Sequence, residues 1–410
     1  MVATLDTTQF GALLKTLYPK DKVSLLGYAE NAFFAMVPKM EDFGGDSMKV
    51  AVRVGGTQGN ANTFATAQAN VYSQNQYAFI ITRGKMYGVA RIDGETLDAS
   101  VGNEKAFISA LTDTMDRCIL SVSEDISQAL YGNGFGVLAQ GDSAYAVGAA
   151  AITLASAEDS IKFWPGMVLK LDAAATGASV RAGTVTVSIV DRINGIVTCT
   201  GNVTAGIAAA VNSDYIFREG SVANGLKGLA AWIPAGSTRT AQLAASFFSV
   251  TRSLEPAMLG GIVYDGSGRS VEEAILKAAS LSGRFGAQPK YAFMSFDVYS
   301  DLIASLGSKI MFTNGGVKAF DANIYFPAVR IWTPAGVIEA IGDRMCPSNR
   351  IYLLNLDEWK LASLGKAPKI LNQDGNQMLR IAAEDGIEIR IGLYGQLICS
   401  APGHATVITL

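Results

Sequence analysis

From Val54 to Thr82 the chain carries no charged residue and no proline, and residues of period two flank this run on both sides. Met48, Val50, Val52 and Val54 alternate with Lys49, Ala51 and Arg53, which predicts a strand. Tyr77, Phe79 and Ile81 predict a second, and Met86, Gly88, Ala90 and Ile92 a third after Gly84. Residues 55–76 hold Asn, Gln and Thr with Phe64 and Tyr72, in no clear period. Compact domains rarely carry so long a connection without a use for it. Left free, this composition is a β-aggregation hazard; laid along another chain, it is a hydrogen-bonding surface. The expectation is one long hairpin over 48–92, reaching at most ~75 Å at about 3.3 Å per residue. The alternative is a disordered surface loop.

The remaining composition fits a chain that hides surface against other chains. Hydrophobic residues make up 49% and charged residues 17% of 410, against a usual charged share of about 25%. That length allows two to four domains at roughly 100–200 residues each. The formal net charge is −3, with no basic excess to neutralise a phosphate backbone, which argues against sequence-reading of nucleic acid. His404 is the only histidine, which removes zincins, two-His iron sites and most imidazole-built zinc sites. Cys118, Cys199, Cys346 and Cys399 form no Cys-x-x-Cys pair and read as reduced core residues of a cytosol-made protein. Met1 to Thr8 is polar and Phe10 to Tyr18 is short and interrupted by Lys15, so no secretion signal is expected. Ile193–Ser213 and Val54–Thr82 are too polar to span a bilayer, and a soluble protein without membrane contact is expected.

Along the chain, residues 1–45, punctuated by Pro19, Pro38 and Gly44-Gly45, read as an arm of short helical pieces that packs on something else, with an ordinary N-terminal subdomain as the alternative. A long helix is predicted over 103–131, with Asn103 as cap and Glu104 in the first turn. Phe107, Leu111, Met115, Cys118, Val122, Ile126 and Ala129 form its single apolar stripe, read as core. Gly132–Gly136 follows a helix rather than a strand, so it is a helix end and turn, not a dinucleotide loop. Residues 157–218 switch to closely spaced strands with an Asn194-Gly195 hairpin signal, which suggests an inserted small barrel or sandwich. Phe163-Trp164-Pro165-Gly166 at its start has a ligand-pocket reading as well as a structural one. Residues 219–345 read as mixed α/β, with a capping box at Ser270–Glu273. The strands predicted over 346–410 are expected to return beside the long helix, being too few to bury a core alone.

Chemistry is sparse. Asp357-Glu358 and Glu384-Asp385 are adjacent pairs, which on a strand face opposite sides and cannot flank one bond. A Ser-His pair would have to use His404, in a turn near the end of the chain. No catalytic residue, cofactor or metal ligand is assigned.

The order of parts resembles the major capsid proteins of tailed bacteriophages. Phe34–Lys39 and Phe43-Gly44-Gly45 resemble that family's arm, Thr82–Tyr87 its descending strand, and Gly132–Gly136 the turn after its spine helix. Asn224–Leu229 resembles the re-entry after an insertion, and Ala401-Pro402-Gly403 the closing strand. The resemblance implies an α+β capsid fold: N-terminal arm 1–45, extended β-hairpin loop 46–95, peripheral domain 96–156 with the spine helix, inserted β-rich domain 157–218, axial domain 219–345, and returning peripheral strands 346–410. It makes Arg53, Phe64, Tyr72, Tyr77, Phe79 and Arg83 the intersubunit contact candidates, and Phe107, Leu111, Met115, Cys118, Val122 and Ile126 the spine-helix core. It further implies self-assembly into pentamers and hexamers, double-stranded DNA enclosed without sequence-specific contacts, and a virion location after assembly in the host cytoplasm. A portal, a scaffold and a cement or decoration protein are the further partners. Some relatives join a loop lysine covalently to a neighbour's asparagine; Val54–Thr82 has no lysine, so a non-covalent shell is expected. An encapsulin-like nanocompartment shell and a carbohydrate-active hydrolase with a β-module are the alternatives.

Overall fold

The computed structural model describes residues 31–54, 59–71, 75–95, 104–143, 148–222, 225–306, 317–318, 325–326, 328–372, 375, 378–381 and 384–410. The fold is α+β, with three six-stranded sheets among the described residues.

The first sheet is organised by Gly386–Cys399, a single strand of 14 residues. Gly84–Asp93 pairs antiparallel along it from Gly84 opposite Gly395 to Asp93 opposite Gly386. Trp359–Ser363, Lys369–Ile370 and Leu379–Arg380 pair with it as well, and Lys39–Met40 extends the sheet beside 359–363. The long helix, Glu104–Tyr131, packs on the inner face. At about 1.5 Å per residue it is roughly 42 Å long. The approach is close enough that a Cβ added at Gly88 would lie 2.2 Å from Val122 Cγ2. Met115, Ile119, Val122, Ile126 and Leu130 are buried, together with Ser123 and Ser127. The stripe is therefore rotated from the predicted one: Ile119 and Leu130 take the centre, and Cys118 is half-buried at the edge. Ser123 and Ser127 disguise the rotation in sequence; the Ser127 hydroxyl donates to Ser123 O, which lets it sit in the core. Phe107 and Leu111 lie on this helix, and Asn103 lies outside the described residues.

The second sheet closes on itself. Its order is 137–140, 215–218, 168–172, 185–191, 196–199, 151–153, and a bridge between Gly141 and Leu154 joins the two ends. Asp142 N donates to Thr153 O and Ala155 N to Gln140 O across that join. The result is a small antiparallel barrel with its own core, including Phe163, Leu169, Leu171, Val187, Val197 and Ile216. It begins at Val137 rather than at 157, because closure recruits two strands that are too short, at 4 and 3 residues, to show a period in sequence.

The third sheet, ordered 262–265, 406–409, 350–354, 291–294, 336–342, 328–333, carries helices Val271–Arg284 and Phe296–Leu306. Ser270 accepts a hydrogen bond from Glu273 N and caps the first of these. Arg350–Leu354 and Thr406–Thr409 depart from the expected return beside the long helix: both are strands of this lobe sheet. Their two faces explain why. Ile351, Leu353 and Ile408 face the lobe core, while Tyr352, Leu354 and Val407 face the main core, so each strand is apolar on both sides.

Of the predicted arm, residues 1–30 lie outside the described residues. Helix Ala32–Met36 is wholly buried in its own chain. Phe33 packs edge-on against Phe293 at 5.2 Å, and its N–H donates to Asp343 Oδ2 at 2.7 Å. This part is core, not an appendage.

Candidate assembly surfaces

The hairpin consists of Ser47–Val54 and Asn75–Thr82, in register from Ser47 opposite Thr82 to Val54 opposite Asn75. Eight residues per strand at about 3.3 Å span roughly 26 Å. The longer reach expected over 48–92 does not occur, because Gly84–Asp93 is withdrawn into the first sheet. Period two gives the hairpin one apolar face. Val52, Val54, Phe79 and Ile81 are buried on it, and Ile80 N donates to Phe248 O at 2.9 Å. The opposite face, with Lys49, Ala51, Gln76 and Ala78, is exposed. Beyond the strands, Phe64–Ala69 forms a short helix with no buried residue, and Thr63 accepts from Thr66 N as its cap.

The predicted contact residues separate by this geometry. Phe64 is 83% exposed on the tip helix. Phe79 is fully enclosed within its own chain, 5.2 Å from Trp232 and 6.2 Å from Phe247 in edge-on contacts. This corrects its expected place at an intersubunit contact: it lies on the face that anchors the hairpin to the body. Tyr77 is half-buried on the same face. Arg83 donates to Phe43 O at 2.7 Å and stacks on the Phe43 ring, an intrachain tie between hairpin base and arm. Arg53 stands opposite Gln76 in the strand register, and Tyr72 lies outside the described residues.

Two surfaces went unassigned in sequence. On the outer face of Gly84–Asp93, Tyr87 and Val89 are exposed; Tyr87 packs edge-on against Tyr394 at 5.6 Å, and Lys369 lies over Tyr394. Beside them, Glu388 receives Arg91 and Arg390. The Arg390 hydrogen bond holds its carboxyl below the usual range. The alternation at 85–93 carried the signal for this face. Trp332, 74% exposed on the lobe strand 328–333, is the second; a lone tryptophan in an apolar run gives no such signal.

The acidic pairs are engaged within the chain: Asp357 with Lys290, Glu358 with His404, Glu384 with Arg91 and Asp385 with Arg380. Ser400 donates to Glu358 O. Among the described residues no group of three or more His, Cys, Asp or Glu is placed to hold a metal ion, and no helix is long and apolar enough to cross a membrane.

No family model matches the sequence, and no curated protein matches it. Among solved structures, the chain is similar to the capsid asymmetric unit of cyanophage A-1(L), at 13% identity and a TM-score of 0.49, over 94% of this chain and 92% of that one. It is similar to a structure from Mycobacterium phage Ogopogo at 8% identity and a TM-score of 0.45, over 93% and 92% of the two chains. It is also similar to a phage G structure of gp27 major capsid proteins and gp26 decoration proteins, at 7% identity and a TM-score of 0.38, over 93% and 90%.

Proposed function

We propose that this chain is the major capsid protein of a tailed bacteriophage: a non-enzymatic shell subunit whose copies form pentamers and hexamers of an icosahedral head around double-stranded DNA. The observation that carries the reading is the hairpin tip. A charge-free segment projects from a rooted hairpin and presents Phe64 almost fully to solvent. An aromatic exposed on a helix with no buried residue is available to a protein partner. The order of sequence motifs supplies the partner, further copies of the same chain. In this reading the tip lies on a neighbour, the outer face with Tyr87 and Val89 and the lobe edge with Trp332 complete the contacts, and assembly takes place in the host cytoplasm. The DNA is enclosed and not read, in keeping with the net charge of −3. A portal, a scaffold and a decoration protein are the accessory partners.

Electron microscopy of the purified protein tests this: closed angular shells are the expected result, and a uniform monomer at high concentration overturns it. Nucleic-acid content then separates a phage head from an enzyme-filled compartment. Shells boiled in detergent are expected to run at 43.1 kDa, because no lysine lies between Val54 and Thr82. A ladder of larger bands would refute the non-covalent shell.

A further inference from the structure

Three cations gather at the root of the hairpin, and among the described residues no carboxylate pairs with any of them. Arg239 donates to the carbonyls of Pro234, Pro256, Gly260 and Gly261. Arg252, 2% exposed, donates to Ala231 O, Trp232 O and Gln242 O, and its Nε is buried without a partner. Both guanidiniums are thus held by main chain. Lys227 differs. Its main-chain N–H donates to Gln396 Oε1, but among the described residues no oxygen accepts from its ammonium. The ammonium rests on rings alone, 4.3 Å from the centre of Phe248 and 5.1 Å from that of Phe247. The Arg252 guanidinium lies 4.0 Å from the same Phe247 ring.

Those rings are a fixed platform. Phe247 and Val250 exchange two main-chain hydrogen bonds, at 2.9 and 3.0 Å, across a tight turn that holds Phe248 and Ser249 at φ of 48° and 69°. A bulky residue at positive φ is strained and persists only where its surroundings hold it. Here Trp232 lies 5.7 Å from the Phe248 ring, and Ile80 N of the hairpin donates to Phe248 O. On its other side the Lys227 stem lies against Gly134, where an added Cβ would stand 2.9 Å from Lys227 Cγ. The ammonium is therefore positioned before any partner arrives, half-buried and beside a second positive charge. Burial first, and Arg252 second, hold its pKa below the usual lysine value. The place lacks an anion.

The same chain carries the complement. Glu41, Asp42 and Asp46 are exposed where the arm runs into the hairpin, and none of the three has an ion pair or a side-chain hydrogen bond among the described residues. Their main chain is anchored, since Phe43 N donates to Ser363 O and Gly365 N to Glu41 O. We infer that the Lys227 ammonium is a carboxylate receptor filled by the acidic stretch 41–46 of a second copy, an assignment that rests on the shell reading for its partner. An incoming carboxylate supplies the ammonium with charge-assisted hydrogen bonds and offsets the repulsion across the Phe247 ring. Donor and receptor are different patches of one chain, so the contact is heterologous, the kind that closes subunits into rings.

Carbodiimide cross-linking tests this, because the reagent joins an ammonium directly to a carboxylate in contact with it. Shells assembled from a mixture of light and heavy-nitrogen copies are treated, digested and read by mass spectrometry. The expected product is a mixed-isotope peptide pair that links Lys227 to Glu41, Asp42 or Asp46 of another copy. Lys227→Gln is expected to remove that pair and to raise several-fold the protein concentration at which shells form. Lys227→Arg keeps the charge and is expected to assemble as the parent chain does. A Lys227 link confined to one copy, a link to any other acidic segment, no link at all, or unchanged assembly of Lys227→Gln overturns the receptor and leaves the shell reading standing. Failure of the parent chain to form shells is a separate result, and it removes both.

Discussion

The barrel and the hairpin are both antiparallel β-structure, and they deal with exposed backbone in opposite ways. The barrel joins its first and last strands through Gly141 and Leu154 and fills its interior with its own side chains. Its Arg181 and Asp214 form a bidentate ion pair at 2.6 and 2.7 Å, with Asp214 also accepting from Val211 N. The hairpin has two strands, which are not stable alone in water. It gains its stability by laying Val52, Val54, Phe79 and Ile81 on the body and leaves its other face and tip open. Closure makes a unit that needs no neighbour; a half-covered ribbon makes a unit that offers itself to one.

Changes at the root of each unit put this contrast at risk, and Phe79→Ala is the strongest. Removing a fully buried aromatic costs about 3–5 kcal/mol, read as a lower denaturation midpoint. Hydrogen exchange should show the loss at 47–82 and around Trp232, with barrel amides unchanged. Arg181→Ala is the mirror experiment. It strands Asp214, whose side chain is 2% exposed, and breaking a buried pair costs ~3 kcal/mol. Protection should fall within 137–218 and persist in the hairpin. If either substitution loosens both regions equally, the two are one cooperative unit and the contrast fails. Gly88→Ala acts on the body between them: the new methyl meets Val122 Cγ2, and overpacking of this kind costs about 1–3 kcal/mol, measurable as a lower Tm with both regions otherwise intact.

What could be read from sequence follows the same divide. The hairpin's strands, the long helix and the Ser270-capped helix announce themselves because each has a long, uninterrupted period or a cap. The barrel's first two strands in chain order are less legible. Val137–Gln140 and Ala151–Thr153 become strands only through partners at 196–199 and 215–218, and tertiary pairing leaves no local signature in segments that short. Arg350–Leu354 and Thr406–Thr409 show apolar runs that fit any buried sheet, so their place in the lobe was decided by long-range register. Among the predicted contact residues, the exposure of Phe64 is legible because it stands in a charge-free run. Phe79 was misplaced because alternation tells which residues share a face and not whose body that face covers.

The smallest expected effect on stability is the most informative about function. Phe64 lies on a helix with no buried residue, so Phe64→Ala removes no packing from the isolated chain. Surface changes of this kind stay within about ±0.5 kcal/mol, and the denaturation midpoint should not move. Assembly is another matter, since an exposed aromatic that fills a neighbour's pocket is the kind of residue that dominates an interface. The variant should stay folded, keep its barrel and hairpin protection, and require a higher protein concentration to form shells than the parent chain. A lowered midpoint would mean that Phe64 packs on its own subunit in solution. Unchanged stability together with unchanged assembly would remove the tip from the interface and leave the Tyr87–Val89 face and Trp332 to carry it.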